Sequence, residues 1–255
     1  MLSAAEQARF WRDGFLILDR TVVEEADLAP VRAIIDRLYA RFDQLPPELA
    51  YDLGEVKHHA KPREIPEINA LTRIEPGLLD TVAYARCHEL ARQLLGRRAR
   101  WVHDHVIRKP PRSPATIEWH QDLAFAPGNP TTRQVHIWLA LQDVTEENGC
   151  VRYLPQAGAP RLLPHHRRGP ESHALVATGV DGSAAVACPI AAGMATIHRV
   201  TTLHSSGPNT TDEPRMAWTL IFRDPGPPWS PTRIWRVLTR IWRPLLGRRR
   251  RHRVS

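Results

Sequence analysis

Two segments of the chain alternate residue by residue between polar or small side chains and large apolar ones, and this limits the folds open to it. Successive side chains of a β-strand point to opposite faces. In the first segment, one face would carry Arg215, Ala217, Thr219 and Ile221, and the other Met216, Trp218, Leu220 and Phe222. In the second, one face would carry His136, Trp138, Ala140 and Gln142, and the other Ile137, Leu139 and Leu141. Both segments are therefore predicted to be strands between an apolar core and a polar pocket.

The length and composition fit one β-rich catalytic domain. The chain has 255 residues, of which 42% are hydrophobic, so it can bury a full core. After Val151 the sequence consists of short β-like runs broken by proline and glycine, as in a double-stranded β-helix. We therefore expect a mainly β fold with flanking helices around a double-stranded β-helix, that is, a jelly-roll or cupin-like core. This single domain is expected to span residues 1–229.

Three helices are expected before the first long strand. Ser3 and Glu6 form a capping-box pattern at the start of a helix that is followed by a turn and a strand. Apolar residues at helical spacing predict a second helix from about Glu25 to Phe42. A third is predicted to run from about Leu78 to Leu95 and to end at Gly96 in a left-handed cap.

The segment Leu45–Pro76 is rich in proline and charge. We expect it to form a long loop over the mouth of the pocket, where substrate selectivity would reside. His58 and His59 lie in this segment, and His165 and His166 lie in similar surroundings further along the chain. Both pairs are expected to be exposed loop residues without a role in chemistry.

Three residues have the chemistry of a metal site: His120 and Asp122 in a His-x-Asp triplet, and His204 far downstream. On an extended strand, side chains at i and i+2 point to the same side, so His120 and Asp122 can reach one ion. Two neutral imidazoles and one carboxylate on a ferrous ion leave three positions open, as in non-haem iron oxygenases. The short triplet alone is weak evidence, because each residue by itself could be an ordinary pocket or surface side chain.

The sequence around the triad supplies further motifs. In order along the chain they are Arg108-Lys109-Pro110-Pro111, Trp119-His120-Gln121-Asp122-Leu123, the segment Ile137–Pro155, and His204-Ser205-Ser206-Gly207-Pro208-Asn209 with Arg215 behind it. In the order and spacing of these motifs the chain resembles the phytanoyl-CoA dioxygenase family of Fe(II)- and 2-oxoglutarate-dependent oxygenases. The resemblance runs from Trp101 to Phe222, nearly half of the chain.

The resemblance implies a role for each matching residue. His120, Asp122 and His204 would be the iron ligands at the catalytic centre, and Arg215 would hold the distal carboxylate of 2-oxoglutarate. The residues close to the co-substrate or lining its pocket would be Gln121, Trp138, Ser206 and His105. Fe(II), 2-oxoglutarate and O2 would then support hydroxylation of a small-molecule or lipid-like substrate, with release of succinate and CO2. The presence of Asp122 favours hydroxylation, since related halogenases have a small residue there.

The residue chemistry agrees with these roles. The guanidinium of Arg215 offers a planar fork of donors that matches a carboxylate in two parallel hydrogen bonds, and it stays charged at any relevant pH. The histidines must be neutral to bind a metal, so metal affinity is predicted to fall below about pH 6.5. His103 and His105, with Asp104 between them, form a rival metal pair, but they lack a third ligand in a matching motif.

Other catalytic schemes find no support in the sequence. There is no G-x-S-x-G elbow, P-loop, H-E-x-x-H or strand-linked G-x-G-x-x-G motif, which leaves nucleophilic and nucleotide-dependent chemistry unsupported. Cys87, Cys150 and Cys188 are too few and too widely separated for a disulfide framework or a zinc ribbon, and they fit a reducing compartment. With neither a signal-peptide pattern nor a membrane-length apolar stretch, a cytoplasmic location is expected.

The formal net charge of +8 is concentrated at the C-terminal end. Residues 231–255 contain nine arginines and no acid, which leaves a formal charge of −1 on the rest once these nine are subtracted from +8. Residues 230–255 are predicted to form a basic amphipathic helix and an arginine-rich tail. This helix would either dock on the catalytic domain or make peripheral contact with an anionic membrane surface. Nonspecific nucleic-acid binding is a third possibility for this segment, but it lacks the aromatic platforms for bases that would favour it, and specific nucleic-acid binding is not expected.

The substrate class stays open at this stage. Where the family has a Gly-Ser-His run after Leu-Pro, this chain continues from Leu154-Pro155 to Gln156-Ala157-Gly158, and so lacks a histidine near the substrate. Small metabolites, lipids and natural-product scaffolds all remain candidates. The alternative function is a non-catalytic jelly-roll binding or sensor module associated with a membrane surface through its basic helix. The intact ligand set and Arg215 favour the enzyme.

Overall fold

A computed structural model describes residues 1–54, 63–125, 128–156, 158–169 and 172–226. The helices are α1 (Ala4–Asp13), α2 (Glu25–Ala40), α3 (Leu71–Ile74) and α4 (Val82–Leu95). The strands are β1 (Phe15–Ile17), β2 (Ala50–Asp52), β3 (Pro66–Asn69), β4 (Arg100–Lys109), β5 (Ile117–His120), β6 (Gln134–Ala140), β7 (Val151–Tyr153), β8 (His165–Arg167), β9 (Leu175–Ala177), β10 (Val186–Ala187), β11 (Ala195–Arg199), β12 (His204–Ser206) and β13 (Arg215–Arg223). The described part of the chain is therefore mainly β with helices flanking it, as the sequence predicts.

Two antiparallel sheets form the body of the fold. The larger has the strand order β1-β11-β6-β13-β4-β3-β2, and the smaller has the order β10-β7-β12-β5. Strands β8 and β9 pair separately. Strands that are distant in sequence are neighbours, since β13 lies between β6 and β4 and β12 between β7 and β5. This crossing connectivity is that of a double-stranded β-helix, which confirms the predicted jelly-roll core.

The central strands β6 and β13 separate a hydrophobic core from a cavity. The side chains on the face of these strands away from the cavity belong to the main core and include Ile137, Leu139, Met216, Trp218, Leu220 and Phe222. Their inward side chains line the cavity and include His136, Trp138, Arg215, Thr219 and Ile221. The alternation read from the sequence is confirmed on both strands.

Helix α2 packs against the outer face of the larger sheet through one apolar stripe. Leu28, Val31, Ile35 and Leu38 recur at helical spacing, and each is fully buried in the main core. Burial of each such side chain stabilises the fold by about 1.5–3 kcal/mol. The helix ends at Ala40, and the predicted end at Phe42 falls instead in a short 3-10 turn.

The starts of the other two long helices are set by side-chain caps. Ser3 accepts the Glu6 N–H and Glu6 accepts the Ser3 N–H, so the predicted capping box is confirmed at α1. Helix α4 begins at Val82 rather than near Leu78, because a 3-10 turn precedes it and the Thr81 hydroxyl accepts the Tyr84 N–H as the cap. Gly96 ends α4 with a positive φ of 94° but a ψ of 170°, so the predicted left-handed cap is wrong.

The segment predicted to be a long loop, Leu45–Pro76, is only partly a loop. Strand β3 pairs with β4 and strand β2 pairs with β3, which extends the larger sheet by two strands. Pro66 is tolerated because it is the first residue of its strand, where its missing N–H costs least. The sequence analysis missed these strands because proline and charge dominate the local composition, whereas pairing with the edge of β4 decides the structure.

Two predictions lie outside the described residues. His58 and His59 fall in the gap between residues 54 and 63, and the basic helix of residues 230–255 follows the last described residue. The domain boundary near residue 229 accordingly stays a prediction. Among the helices that the structure describes, none is long and apolar enough to cross a membrane.

Candidate active site

A cavity of about 540 Å³ opens between the two sheets. Strands β4, β6 and β13 of the larger sheet form one wall, and β5 and β12 of the smaller sheet form the other. Apolar side chains such as Ile107, Ile117 and Ile221 alternate with polar ones around the wall. The cavity is large enough for a small organic molecule and a co-substrate, and its size falls in the range of small-molecule sites.

His120, Asp122 and His204 meet at one end of this cavity. His120 ends β5 and His204 begins β12, and the two residues are directly paired across the strands. Asp122 starts the 3-10 turn after β5, so the predicted extended geometry of the triplet holds only up to Gln121. The Asp122 Oδ1 atom lies 3.7 Å from His120 Nε2 and 3.6 Å from His204 Nε2. Three ligand atoms are thus brought around one point, as a metal site requires.

The hydrogen bonds of the two histidines leave the correct nitrogens free. His120 Nδ1 is 2.8 Å from the Glu118 carbonyl oxygen, and His204 Nδ1 is 3.0 Å from the Thr202 carbonyl oxygen. A carbonyl oxygen only accepts, so each Nδ1 carries the proton and each Nε2 keeps its lone pair. Both lone pairs belong to the nitrogens that face Asp122. The donor set of two imidazole nitrogens and one carboxylate oxygen fits Fe(II).

Burial keeps the imidazoles of His120 and His204 neutral well below neutral pH. It lowers the pKa of His120 to about 4 and that of His204 to about 4. Burial alone would raise the pKa of Asp122, but the imidazoles of His204 and His136 outweigh it and hold the pKa well below its usual range. The metal-binding protonation states therefore persist over the whole neutral range.

This changes the expected pH dependence of metal binding. Only the neutral imidazole is a ligand, so affinity is lost as the pH falls through the pKa of the free site. With both histidines near a pKa of 4, Co(II) affinity should stay within about threefold between about pH 7.5 and about pH 6. Calorimetric titration at the two pH values checks this. A loss of Co(II) affinity of about tenfold or more over that interval would mean that the two histidines titrate near the ordinary histidine pKa.

The second oxygen of Asp122 has its own partners. His136 Nδ1 lies 2.8 Å and His198 Nε2 2.9 Å from Asp122 Oδ2, which are hydrogen-bond lengths. Together with Asp122 these histidines form a second group whose potential ligand atoms lie within 4.8 Å of one another. The sequence placed His136 on the pocket side of its strand, which is confirmed, and His198 lies on the strand β11 before His204. It gave no signal that they meet on Asp122.

Arg215 is the most unusual charge in the described structure. Its side chain is only 1% exposed, and among the described residues it has no carboxylate partner. One terminal nitrogen donates to the Gly149 carbonyl at 2.6 Å, while the buried Nε has no hydrogen-bond partner in the described residues. Burial lowers its pKa to about 10, which still leaves it charged at neutral pH. A buried cation with unused donors in a cavity wall is suited to an anionic ligand.

The surroundings of Arg215 include two of the predicted co-substrate residues. Its guanidinium carbon lies 5.4 Å from the centre of the Trp138 ring, within the range of a cation–π contact. The Ser206 hydroxyl is buried, lines the same cavity and has no hydrogen-bond partner among the described residues. Unsatisfied buried donors beside a cavity indicate a missing polar ligand. The structure therefore brings Arg215, Trp138 and Ser206 to the cavity, as predicted.

Lys109 is a second buried basic residue close to Arg215. The two residues are paired across β4 and β13, and the Lys109 side-chain nitrogen donates to the carbonyl oxygens of Ala115 and Gly207. Burial, helped by the charge of Arg215, lowers the pKa of Lys109 to about 6. Lysine can lose its proton at this position whereas arginine does not, so the positive charge is concentrated on Arg215.

Gly149 holds the carbonyl that positions Arg215, and we predict that it tolerates no side chain. It has a φ of 82°, and an added Cβ would lie 2.6 Å from the Gly207 carbonyl oxygen and 2.7 Å from that of Pro208. Gly149→Ala should lower the free energy of unfolding by about 3 kcal/mol or more, from backbone strain plus this clash. Gly179 is the matched control, since it has a φ of 71° and open space around it. Its alanine variant should lose only about 1 kcal/mol in chemical denaturation, and equal losses at both sites would contradict the steric argument.

Gln121 does not contact the cavity. Its amide nitrogen donates to the carbonyl oxygens of Arg161 (2.8 Å) and Thr201 (2.6 Å), and its amide oxygen accepts the Leu163 N–H. All of its side-chain groups are therefore engaged in holding two loops together. The expected co-substrate contact of Gln121 is not supported, because the extended backbone that follows β5 turns this side chain away from the pocket.

The prediction that His165 and His166 are exposed loop residues is wrong for both in placing them in a loop, and wrong for His165 also in its exposure. Both lie in strand β8, which pairs with β9, and His165 is half-buried. Its Nδ1 donates to the Leu163 carbonyl at 2.8 Å, which leaves Nε2 to accept the Gln121 N–H at 3.1 Å. His165 thus supports the backbone between the two predicted ligands His120 and Asp122. His166 is exposed as predicted.

His105 lines the cavity as predicted, and a carboxylate that the sequence did not indicate accompanies it. His105 Nδ1 lies 2.7 Å from the buried Glu67 Oε1. Burial alone would lower the pKa of His105, but the adjacent Glu67 carboxylate outweighs it and the pKa is raised. Glu67 was missed because it lies on β3, within the segment predicted to be a loop. Whether His105 contacts the co-substrate stays a prediction.

The rival metal pair of His103 and His105 is not formed. His103 contacts the Asn69 side chain, and neither histidine belongs to a potential ligand group among the described residues. Asp104 points to the opposite face of β4, where it accepts hydrogen bonds from the Thr72 hydroxyl at 2.8 Å and from Trp218 Nε1 at 3.0 Å. The alternation of the strand is the reason, since Asp104 cannot face the same way as its neighbours.

Comparison with known proteins extends these observations. The family model of phytanoyl-CoA dioxygenase (PhyH) matches residues 10–217. A probable alpha-ketoglutarate-dependent hypophosphite dioxygenase from Stutzerimonas stutzeri is 31% identical over 129 residues, which are 48% of this chain and 44% of that protein. The peroxisomal phytanoyl-CoA dioxygenase of Rattus norvegicus is 28% identical over 173 residues, 63% of this chain and 49% of that protein. The chain thus spans about half the length of the curated relatives it matches.

A solved structure is similar over a larger share of both chains. EvdO2 from Micromonospora carbonacea var. aurantiaca is 35% identical with a TM-score of 0.74, and the match covers 88% of this chain and 91% of that one. The same protein complexed with 2-oxoglutarate matches with 32% identity, a TM-score of 0.72 and the same coverage. The similarity therefore extends over most of both chains.

Proposed function

Because this chain belongs to the phytanoyl-CoA dioxygenase family, we propose that it is an Fe(II)- and 2-oxoglutarate-dependent dioxygenase. It would hydroxylate a small-molecule or lipid-like substrate and release succinate and CO2. One observation carries the proposal: a two-histidine, one-carboxylate cluster lines the same cavity as a buried arginine that has no carboxylate partner among the described residues. These are the two halves of a site for a metal and a dicarboxylate.

His120, Asp122 and His204 would hold the ferrous ion. They supply three ligands, so three positions remain for other molecules. When bound, the ion together with 2-oxoglutarate and O2 supplies the oxidising chemistry that protein side chains lack. The histidines contribute lone pairs from Nε2 while their Nδ1 protons stay on backbone carbonyls. This arrangement fixes both imidazoles before the metal arrives.

Arg215 would bind the distal carboxylate of 2-oxoglutarate. Its Nε lacks a partner among the described residues, and one terminal nitrogen is already oriented by Gly149. A carboxylate would satisfy the remaining donors and compensate the buried charge. Ser206 has a hydroxyl in the same cavity, free among the described residues, that could donate to this group, and the Trp138 ring lies over the guanidinium. The complex of EvdO2 with 2-oxoglutarate supports a co-substrate of this class.

The rest of the cavity would receive the substrate. Leu53, Ile65, Val102, Ile107, Phe125 and Leu175 line it with apolar surface. Tyr51, Glu67, Asn69, His103 and His105 add hydrogen-bonding groups on strands β2, β3 and β4. This mixed lining suits a small molecule with both apolar and polar parts. Asp122 supports hydroxylation as the outcome, because a small residue there would be needed to leave room for a halide.

Turnover of 2-oxoglutarate tests this proposal. Purified protein with Fe(II), ascorbate, O2 and 2-oxoglutarate labelled at C1 should release labelled CO2 and form succinate in equal amounts. The same assay with a panel of acyl thioesters, free acids and glycosides should identify compounds that accelerate the release. Binding of 2-oxoglutarate without any release would favour the alternative, a non-catalytic binding module.

A finer proposal concerns residues 231–255. We propose peripheral contact of this basic segment with an anionic membrane surface, on the cytoplasmic side, and this rests on its sequence pattern alone. The full chain should sediment with vesicles containing phosphatidylserine, and a chain ending at residue 229 should not. If both behave alike, the segment has no such role. Equal turnover by the two proteins would show that residues 1–229 act as a separate catalytic unit.

A further inference from the structure

We propose that His136 and His198 are positioning residues that hold Asp122 in a one-oxygen binding mode. Both donate to Asp122 Oδ2, so that only Oδ1 is presented to the metal. The inference rests on the proposed function, since it concerns the same metal site. It assigns a role to two histidines that neither bind the metal nor hold 2-oxoglutarate.

The first support for Asp122 is a chain of hydrogen bonds that begins at Arg223, at the edge of the cavity, and reaches Asp122 through Gln134 and His136. Arg223 donates to Gln134 Oε1 from Nε at 2.9 Å and from a terminal nitrogen at 2.6 Å. This fixes the amide of Gln134, so its Nε2 donates to His136 Nε2 at 2.9 Å. With its Nε2 lone pair occupied, neutral His136 carries its proton on Nδ1. That proton points to Asp122 Oδ2, 2.8 Å away.

The second support for Asp122 is a chain of hydrogen bonds that begins at Thr196 and reaches Asp122 through Tyr153 and His198. The Thr196 hydroxyl lies 2.8 Å from the Tyr153 hydroxyl, which lies 3.0 Å from His198 Nδ1. If Tyr153 donates to His198 Nδ1, it can accept from Thr196, and both hydroxyls are satisfied. His198 then carries its proton on Nε2, which is 2.9 Å from Asp122 Oδ2. The links from Thr196 to Tyr153 and from Tyr153 to His198 are buried, so water does not compete with them, and the link from His198 to Asp122 is partly buried.

The sheet itself brings the two supports together. His136 and His198 are directly paired across β6 and β11, and Gln134 is paired with Arg223 across β6 and β13. Both histidines therefore lie on rigid central strands, whereas Asp122 lies in a turn after β5. A carboxylate in a turn can rotate, and two donors on one oxygen oppose that rotation.

A second metal ion at Asp122, His136 and His198 is the competing explanation of this cluster. It would need lone pairs on His136 Nδ1 and His198 Nε2, the nitrogens that face Asp122. The Gln134 amide is oriented by Arg223 and donates to the other nitrogen of His136. The resulting tautomer has no lone pair on Nδ1. The hydrogen bonds therefore favour support of one metal site over a pair of sites.

The consequence for the proposed chemistry is the number of open positions. A carboxylate that binds through both oxygens takes two positions on an octahedral ion, and one that binds through a single oxygen takes one. With His120 and His204, a one-oxygen Asp122 leaves three positions open. Two are needed for the chelating end of 2-oxoglutarate and one for O2. His136 and His198 would thus preserve a position that a rotating carboxylate can block.

Co(II) binding to the metal-free protein tests the inference independently of turnover. His136→Leu and His198→Leu remove the donors and should each weaken Co(II) binding by about 10- to 100-fold, the usual effect of losing a partner of a ligand. His136→Asn places an amide nitrogen near the Nδ1 position, and His198→Gln places one near the Nε2 position. These two variants should bind Co(II) within about threefold of wild type. His136→Gln and His198→Asn place the amide nitrogen at the wrong position, so they should weaken Co(II) binding as much as the leucine variants do.

The design separates the inference from the proposed function. If the wild-type protein bound no Co(II), the proposed metal site itself would be contradicted. Wild-type protein that binds one ion, with all six variants binding equally, would overturn the positioning role alone. Two ions per chain would establish the competing second site. Thermal unfolding of each variant checks that a loss of affinity does not come from misfolding.

The tautomers give a readout that needs no variant. In metal-free protein with ¹⁵N-labelled histidine, NMR should show His136 protonated on Nδ1 and His198 protonated on Nε2. His120 and His204 should both be protonated on Nδ1, so His198 should differ from the other three. Protonation of His136 on Nε2 would overturn the first support, and protonation of His198 on Nδ1 would overturn the second.

Discussion

His204→Ala is expected to abolish metal-dependent turnover. Of this potential ligand group the variant leaves His120 and Asp122, and no other histidine among the described residues belongs to the group. Loss of a direct ligand should cost more than the tenfold to hundredfold loss that follows removal of a ligand's partner, so metal affinity should fall by at least about 100-fold. Co(II) titration and release of CO2 from 2-oxoglutarate measure the two effects separately.

His166→Ala is the matched control for this experiment. His166 is an exposed histidine in β8, outside the cavity lining, so its loss removes an imidazole without touching the site. It should bind Co(II) and turn over like wild type. If His204→Ala kept wild-type affinity while remaining folded, His204 would not be a ligand, and the cluster around Asp122 would need another explanation.

Arg215→Met is expected to weaken 2-oxoglutarate binding without weakening the fold. Two charge-assisted hydrogen bonds of about 1.5–3 kcal/mol each would be lost, which corresponds to a rise in Kd of about 10²- to 10⁴-fold. The wild-type protein holds this cation buried and without a carboxylate partner among the described residues. Its replacement by an apolar side chain of similar length should therefore leave the melting temperature unchanged or raise it. Metal affinity should also stay the same.

Arg215→Lys and Arg112→Met complete this comparison. Lysine keeps the charge but not the planar fork, so Arg215→Lys should bind 2-oxoglutarate with intermediate affinity. Arg112 forms an exposed ion pair with Asp212, outside the cavity lining, and its methionine variant should bind like wild type. A large fall in melting temperature for Arg215→Met, with unchanged 2-oxoglutarate affinity, would make Arg215 a structural residue.

The parts of the fold that follow from local pattern were predictable. Alternation in β6 and β13 identified both faces of the central strands, and helical spacing identified α2. The resemblance of the motifs identified the family, which the match over residues 10–217 confirms. These features depend on periodicity or on motifs that a single sequence displays directly.

The parts that depend on partners distant in sequence were not predictable. Strands β2 and β3 form because β4 offers an edge, and their own composition indicates a loop. The meeting of His136 and His198 on Asp122 depends on the register of β6 against β11. Gln121 shares a motif with two predicted ligands, yet the same alternation that brings His120 inward turns Gln121 outward. A motif therefore located the candidate site, and the sheet geometry showed which residues of it face the cavity.

An anaerobic titration of the purified chain with Fe(II) and 2-oxoglutarate tests the central claim most directly. Chelation of the ferrous ion by the keto acid gives a weak visible charge-transfer band, which reports both halves of the site at once. The account predicts a band that saturates at one iron per chain, is absent in His120→Ala, and needs at least about 100-fold more 2-oxoglutarate in Arg215→Met. Folded wild-type protein that shows no band with both components present would contradict it.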